Sequence, residues 1–274
     1  MTTHFGLIII GDEILSGKRA DKHLPKAIEL LGARGLQLSY ADYVGDDPAR
    51  ITATLAHAFA AARKTGDVVF STGGIGATPD DHTRQCAANA LGVSLALHPD
   101  AETLIRERMQ DLAREQGVAY EPERHDNIHR LNMGVFPVGA QIIPNPYNKI
   151  PGFSCNAGEG ALHFMPGFPV MAWPMMAWLL DTRYAHLHQK SAYVEKSVIV
   201  LGSMEAMLTP LMLDIEAAFA GVKVFSLPSV DHPEHGRHIE LGVKGAPEAV
   251  NQAYPALLAG LRGFDLNLGP ELVR

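Results

Sequence analysis

Cysteine is nearly absent from this sequence: Cys86 and Cys155 are the only two in 274 residues. Two cysteines exclude a disulfide scaffold and a cysteine-built zinc site, and they point to a reducing, cytoplasmic setting. Long hydrophobic runs are also missing. No stretch of about 20 apolar residues could span a bilayer. The run Leu7–Ile10 is too short for a signal-peptide core, and no basic segment precedes it. Positive charge is in deficit, with 23 basic against 30 acidic residues and a formal charge of −7. That balance argues against a bulk electrostatic grip on nucleic acid and leaves only a local basic patch open. The hydrophobic share of 47% and charged share of 19% are ordinary for a globular chain. The length suffices for one large domain or two small ones.

What is present is an alternation. Phe5–Ile10 is a continuous apolar run, as in a strand buried on both faces. Leu24, Ile28 and Leu31 recur at helical spacing within 21–31, and Leu36–Val44 is strand-like. Pro48 opens a helix with Asp47 as its N-cap, and Val68–Phe70 is a short buried strand before a Gly-rich loop and a helix over 82–91. This order predicts an α/β fold in three layers around a mostly parallel sheet. A helix over 100–116, loops and short strands over 117–174, and a helix Met175–Leu187 complete a domain spanning 1–188. Residues 189–274 read as a smaller α+β domain: strand Tyr193–Leu201, helix Glu205–Ala218, strands Val222–Leu227 and Ile239–Val243, and helix Pro247–Leu261.

Ligands in such folds bind beyond the carboxyl ends of the strands. Two loops there carry unusual chemistry. The richer is Ser71-Thr72-Gly73-Gly74-Ile75-Gly76-Ala77-Thr78-Pro79-Asp80-Asp81-His82-Thr83. Glycines allow sharp turns and close approach to a ligand, and loop amides running into a helix favour phosphate. Thr72, Thr78 and Thr83 add hydroxyls, while Asp80 and Asp81 suit a hard divalent cation or ribose hydroxyls. A plain Gly-rich turn capped by Asp80 or Asp81 is the structural alternative. No Gly-Lys-Ser/Thr follows, so this is not a P-loop, and the glycines are too close together for the dinucleotide fingerprint. The second loop is Gly11-Asp12-Glu13-Ile14-Leu15-Ser16-Gly17. A third acidic turn, Val44-Gly45-Asp46-Asp47-Pro48, taken alone is an ordinary helix start.

Together these three motifs resemble the molybdopterin-binding (MoaB/Mog-like) domain, and most of all the N-terminal part of CinA-type proteins, over about residues 5–180. The small domain is similar to the α+β module that follows in CinA-type chains. The chain stops where longer members continue into a nicotinamide-mononucleotide deamidase domain, so that activity is not expected. The resemblance implies one of two activities. One is hydrolysis of ADP-ribose or a related nucleotide pyrophosphate with a divalent metal such as magnesium. The other is binding or adenylylation of molybdopterin in cofactor biosynthesis. It also implies roles: Asp46 and Asp81 catalytic, and Glu13, Asp46 and Asp81 holding metal or orienting water. Gly73, Gly74 and Gly76 would cradle phosphate, and Gly11, Asp12, Thr72, Thr78, Asp80 and Thr83 would complete the ligand site.

Asn145 with Pro151-Gly152-Phe153, and Pro166-Gly167, match further CinA-type loops, and Asn145, Pro166 and Gly167 are assigned to the ligand. Met171 stands where those chains carry Glu, so binding of a nucleotide or pterin without turnover is a third reading. His232, His235 and His238 could suit a metal, but their Pro/Gly turn reads better as a solvated hairpin loop. His82 either touches a ligand phosphate or faces solvent. The small domain lacks a Gly-x-x-Gly clamp and interleaved basic and aromatic residues, which argues against RNA. A structural or dimerising role, and so a homo-oligomer, is expected of it.

Overall fold

A computed structural model describes residues 3–188 and 194–274 of the chain. They form two compact units, 1–188 and 189–274. The expected domain boundary at 188/189 and Tyr193, the first residue of an expected strand, abut or fall in 189–193, outside the described residues.

In the first unit the strands are β1 (Phe5–Ile10), β2 (Leu38–Val44), β3 (Val68–Thr72), β4 (Leu95–Leu97), β5 (Val135–Pro137), β6 (Gln141–Ile143), β7 (Gly152–Ala157) and β8 (Gly160–Met165). The helices are α1 (Asp12–Leu15), α2 (His23–Gly32), α3 (Pro48–Thr65), α4 (Thr83–Leu91), α5 (Pro99–Glu115), α6 (His125–Arg130) and α7 (Pro169–Thr182). Six strands form one sheet in the order β2-β1-β3-β8-β7-β6. Neighbours from β2 to β8 run parallel, and β7 and β6 are antiparallel additions. Strands β4 and β5 make a separate pair.

Every residue of β1 is buried because both sheet faces are covered. Ile8, Val69 and Phe164 pack with Leu55 and Phe59 of α3 on one face. Leu7, Phe70 and Met165 pack with Ala27 of α2 and Met175 and Leu179 of α7 on the other. This is the three-layer α/β arrangement expected. Asp47 caps α3 by accepting from the Arg50 amide at 2.7 Å, and Gly66 in the left-handed region ends that helix.

Three expectations need correction. Residues 117–174 hold the expected loops and short strands, with β8 in the middle of the main sheet, but they also hold the helix α6, which was not expected. Helix α7 begins at Pro169, not Met175, and carries Pro174 inside it. Burial of Ala172, Met175 and Met176 against the sheet outweighs the hydrogen bond that Pro174 cannot make. In the second unit a further strand follows the last expected helix.

That unit contains β9 (Val194–Leu201), α8 (Glu205–Ala218), β10 (Lys223–His232), β11 (Gly236–Gly245), α9 (Pro247–Leu261) and β12 (Asn267–Val273). Its sheet is antiparallel, in the order β10-β11-β9-β12. Leu208, Ile215, Val250 and Leu257 of the two helices pack with Val200 and Leu241 of the sheet. Gly269 and Pro270 hid β12 from sequence patterning. An edge strand tolerates them, and its register shifts between Leu268 and Glu271.

Candidate functional site

Strands β1, β2, β3 and β8 are parallel and in register, Ile10 beside Val44 and Thr72 beside Met165. Their carboxyl ends therefore deliver four loops to one edge of the sheet: Gly11 onward, Gly45-Asp46, Gly73 onward and Pro166-Gly167. The first two are tied together. The Gly11 amide donates to Val44 O at 3.0 Å. The Asp12 amide donates to Asp46 Oδ2 at 2.8 Å, and the Asp46 amide donates to Asp12 Oδ1 at 3.1 Å. Burial holds the Asp46 carboxyl above its ordinary range. The Asp12 amide opposes that shift, and the charges of Asp12, Glu13 and Asp80 add to it.

The Gly-rich loop is fixed by its backbone. Gly73 has φ 102°, and a Cβ there would lie 2.1 Å from the Ile10 carbonyl oxygen. At Gly74, with φ 66°, a Cβ would meet Thr83 Oγ1 at 2.2 Å. Thr83 is fully buried, its hydroxyl donating to Gly73 O at 3.1 Å and its amide to Gly74 O at 3.0 Å. Thr83 is thus a latch for the loop and not a ligand contact. Thr72 is also buried, and its hydroxyl has no protein partner. Past the latch, the amides of Gly74, Ile75 and Gly76 make no hydrogen bond within the protein among the described residues.

Asp81 is spent locally as well. Its Oδ2 accepts from the Thr78 amide at 2.7 Å and the Thr78 hydroxyl at 2.6 Å. Asp80, not Asp81, is the aspartate of this tail whose charge reaches Asp46. The trio Glu13, Asp46 and Asp81 is consequently not assembled as a ligand set. Among the described residues no three His, Cys, Asp or Glu side chains are grouped to hold a metal ion. That includes His232, His235 and His238. Their rings gather 5.0–5.6 Å apart, but His232 Nδ1 accepts from the Glu234 and His235 amides and His238 Nδ1 donates to Gly236 O. These bonds build the β10–β11 turn.

A cavity of about 390 Å³ opens against the Gly-rich loop. Of the residues singled out in the sequence, Gly74, Gly76, Thr78, Asp81, Asn145, Pro166 and Gly167 line it. Gly11, Asp12, Asp46, Gly73 and Asp80 do not, and Glu13 lines an adjoining cavity. The far wall comes from residues 145–151 and the start of α7. Asn145 is buried and its amide is committed: Nδ2 donates to Asn148 Oδ1 at 2.8 Å and to Ile150 O at 2.9 Å, and Oδ1 accepts from the Tyr147 amide at 3.1 Å. Asn145 therefore shapes the wall. The available donor there is Asn148, whose Nδ2 meets only the Met171 sulfur, at 3.7 Å. Ile150, Phe168 and Met171 give this wall an apolar surface. Asn148 and Phe168 carry no expected ligand role from the sequence, although both stand within three residues of Asn145 or Gly167.

Both cysteines are free and buried. Burial pushes the Cys86 thiol up and the Cys155 thiol up to about 12. His82 precedes α4 without a capping bond and borders a second opening beside the Thr78–Asp81 turn.

Comparison with known proteins agrees with this architecture. A family described as "Probable molybdopterin binding domain" matches residues 6–186. A CinA-like protein of Anaeromyxobacter sp. (strain K) is 34% identical over 164 residues, covering 60% of this chain and 37% of its own length. A CinA-like protein of Mycobacterium tuberculosis is 28% identical over 261 residues, covering 94% of this chain and 58% of its own. The chain thus spans between a third and three-fifths of these relatives. The crystal structure of a CinA protein of unknown function from Thermoplasma acidophilum superposes with a TM-score of 0.53 at 24% identity, covering 65% of this chain and 98% of that one. That likeness shows the fold alone. With a parallel sheet, a Gly-rich loop at its carboxyl edge and a match across residues 6–186, the chain belongs to the molybdopterin-binding domain family and has CinA-like relatives.

Proposed function

We propose that the first unit binds a phosphate-bearing nucleotide or pterin and hydrolyses a nucleotide pyrophosphate of the ADP-ribose type. The observation that carries this reading is the row of unpaired amides at Gly74, Ile75 and Gly76 along a cavity, beside four carboxylates at the same sheet edge. Amides of this kind neutralise phosphate oxygens without a basic surface, which suits a chain of net charge −7. The carboxylates do not chelate an ion by themselves. A magnesium-type ion, however, asks for only one or two protein carboxylates when it arrives on the ligand's phosphates. Asp46 and Glu13 are the residues to hold it, and it would supply charge neutralisation at the phosphates. Asp46, central to this cluster and tied to Asp12, is the group to take a proton from the attacking water. Water oxygen bonds to phosphorus as the anhydride P–O bond breaks, and the leaving phosphate departs with its electron pair.

A second reading, molybdopterin binding or adenylylation, is favoured by the apolar wall of Ile150, Phe168 and Met171, which suits a flat ring. The thioether of Met171 favours a third, binding without turnover. The test is product analysis of ADP-ribose incubated with the protein and magnesium or manganese, alongside thermal melting with ADP-ribose, ATP and molybdopterin. The first reading expects AMP to appear and melting to rise with ADP-ribose. Stabilisation by molybdopterin with no AMP from any tested metal would replace it with the second.

A further inference from the structure

A cavity of about 320 Å³ lies on the other side of the Gly167–Phe168 turn, lined by Arg19, Lys22, His23 and Glu13. Gly167 and Phe168 line both this cavity and the one against the Gly-rich loop, so the two are neighbours across one exposed phenyl ring. They differ in charge. The Gly-rich cavity has a single charged lining residue, Asp81, and no cation. The second brings two cations to one carboxylate. Arg19 and Lys22 are exposed and form no ion pair among the described residues, in contrast to Arg34, Arg106 and Lys149 of the same unit.

His23 ties this pocket to the Gly-rich side. It is 4% exposed, and its Nε2–H donates to Gly167 O at 3.1 Å. Gly167 in turn lies against Gly73, where an added Cβ would be 3.4 Å from the Gly73 Cα. Burial keeps the imidazole below its ordinary range and therefore neutral. Nδ1 is left as an acceptor with no partner in the protein. The cavity thus offers two free cations for an anion, beside a buried imidazole nitrogen with no partner in the protein.

We infer that this cavity takes the phosphosugar end of a ligand whose aromatic end lies in the Gly-rich cavity, with Arg19 and Lys22 on the phosphate and His23 at the sugar. The assignment of ends follows from the walls. A flat heterocycle suits Ile150, Phe168 and Met171, whereas a small hydroxylated anion suits guanidinium, ammonium and imidazole. The inference rests on the reading that the Gly-rich loop holds a nucleotide phosphoanhydride.

The test is calorimetric titration of the full chain with ribose 5-phosphate and, separately, with AMP. The proteins compared are the native chain, the double variant Arg19→Ala/Lys22→Ala, and Arg19→Lys. Both side chains are exposed, so melting of the variants should stay unchanged. Ribose 5-phosphate should lose at least about tenfold in affinity in the double variant, keep most of it in Arg19→Lys, and weaken as salt rises. AMP should change by less than about twofold, roughly the limit of a remote surface charge. Equal losses for both ligands, or no loss for ribose 5-phosphate, would overturn the inference. AMP release from ADP-ribose with ribose 5-phosphate indifferent to Arg19 and Lys22 would leave the proposed hydrolysis standing and remove only this subsite. Binding of ribose 5-phosphate through the two cations without any AMP release would do the reverse.

Discussion

Two walls face each other across the main cavity, and they are held by different means. The Gly-rich wall is held by its backbone: Gly73 crosses the end of β1 so closely that no side chain fits, and Thr83 latches the turn from below. The opposite wall, 145–151, is held by side-chain amides, with Asn145 bonded to Asn148, Ile150 and Tyr147. The backbone-held wall keeps amides free for a ligand. The amide-held wall spends Asn145 on itself and leaves Asn148 against a soft sulfur acceptor. A residue type that suggests ligand binding in sequence can thus serve as scaffold, while its neighbour keeps the donor.

Gly73→Ala should have the largest effect. It combines a positive φ with a backbone collision at 2.1 Å, and we expect a loss of about 3 kcal/mol or more in denaturant unfolding. A loss below about 1 kcal/mol would mean that the Gly-rich wall yields as readily as the other. Asn145→Ala comes next. It leaves the Tyr147 amide and the Ile150 carbonyl without their partner, for about 2 kcal/mol in the same measurement. Unchanged stability would show that the second wall does not depend on its amides. Asp46→Asn is the smallest and has the opposite sign. The Asp46 carboxyl is raised in the folded protein, so its charged form disfavours folding above that pKa and the penalty fades as pH falls through it. The isosteric amide still accepts from Asp12 and should stabilise the protein by less than about 1 kcal/mol at pH 7, the site being partly exposed. The gain should disappear when melting is repeated in the carboxylate titration range. A gain that persists at low pH would remove charge as its cause.

Legibility in the sequence followed the range of the interactions. The β1 run, the Asp47 cap and the helices α8 and α9 depend on neighbours a few residues away, and their limits were readable. The start of α7 and the strand β12 were not, because burial overrides Pro174 and an edge position excuses Pro270. At the site, the Gly-rich loop and the acidic turns were readable as a group. Their division of labour was not. Asp81 turned inward to Thr78, Thr83 became a latch, and Asp12 became the reciprocal partner of Asp46.

The sequence by itself determined the α/β alternation, the place of the Gly-rich loop after β3 and the presence of carboxylates at strand ends. These are set by local periodicity and by backbone conformations that only certain residues allow. The tertiary structure alone decided which loops share a cavity. Insertion of β8 between β3 and β7 brings Pro166–Met171 against Gly74–Thr78, and the contact of His23 with Gly167 brings Arg19 and Lys22 beside them. Strand order across a sheet is settled by long-range packing, and no local pattern encodes it.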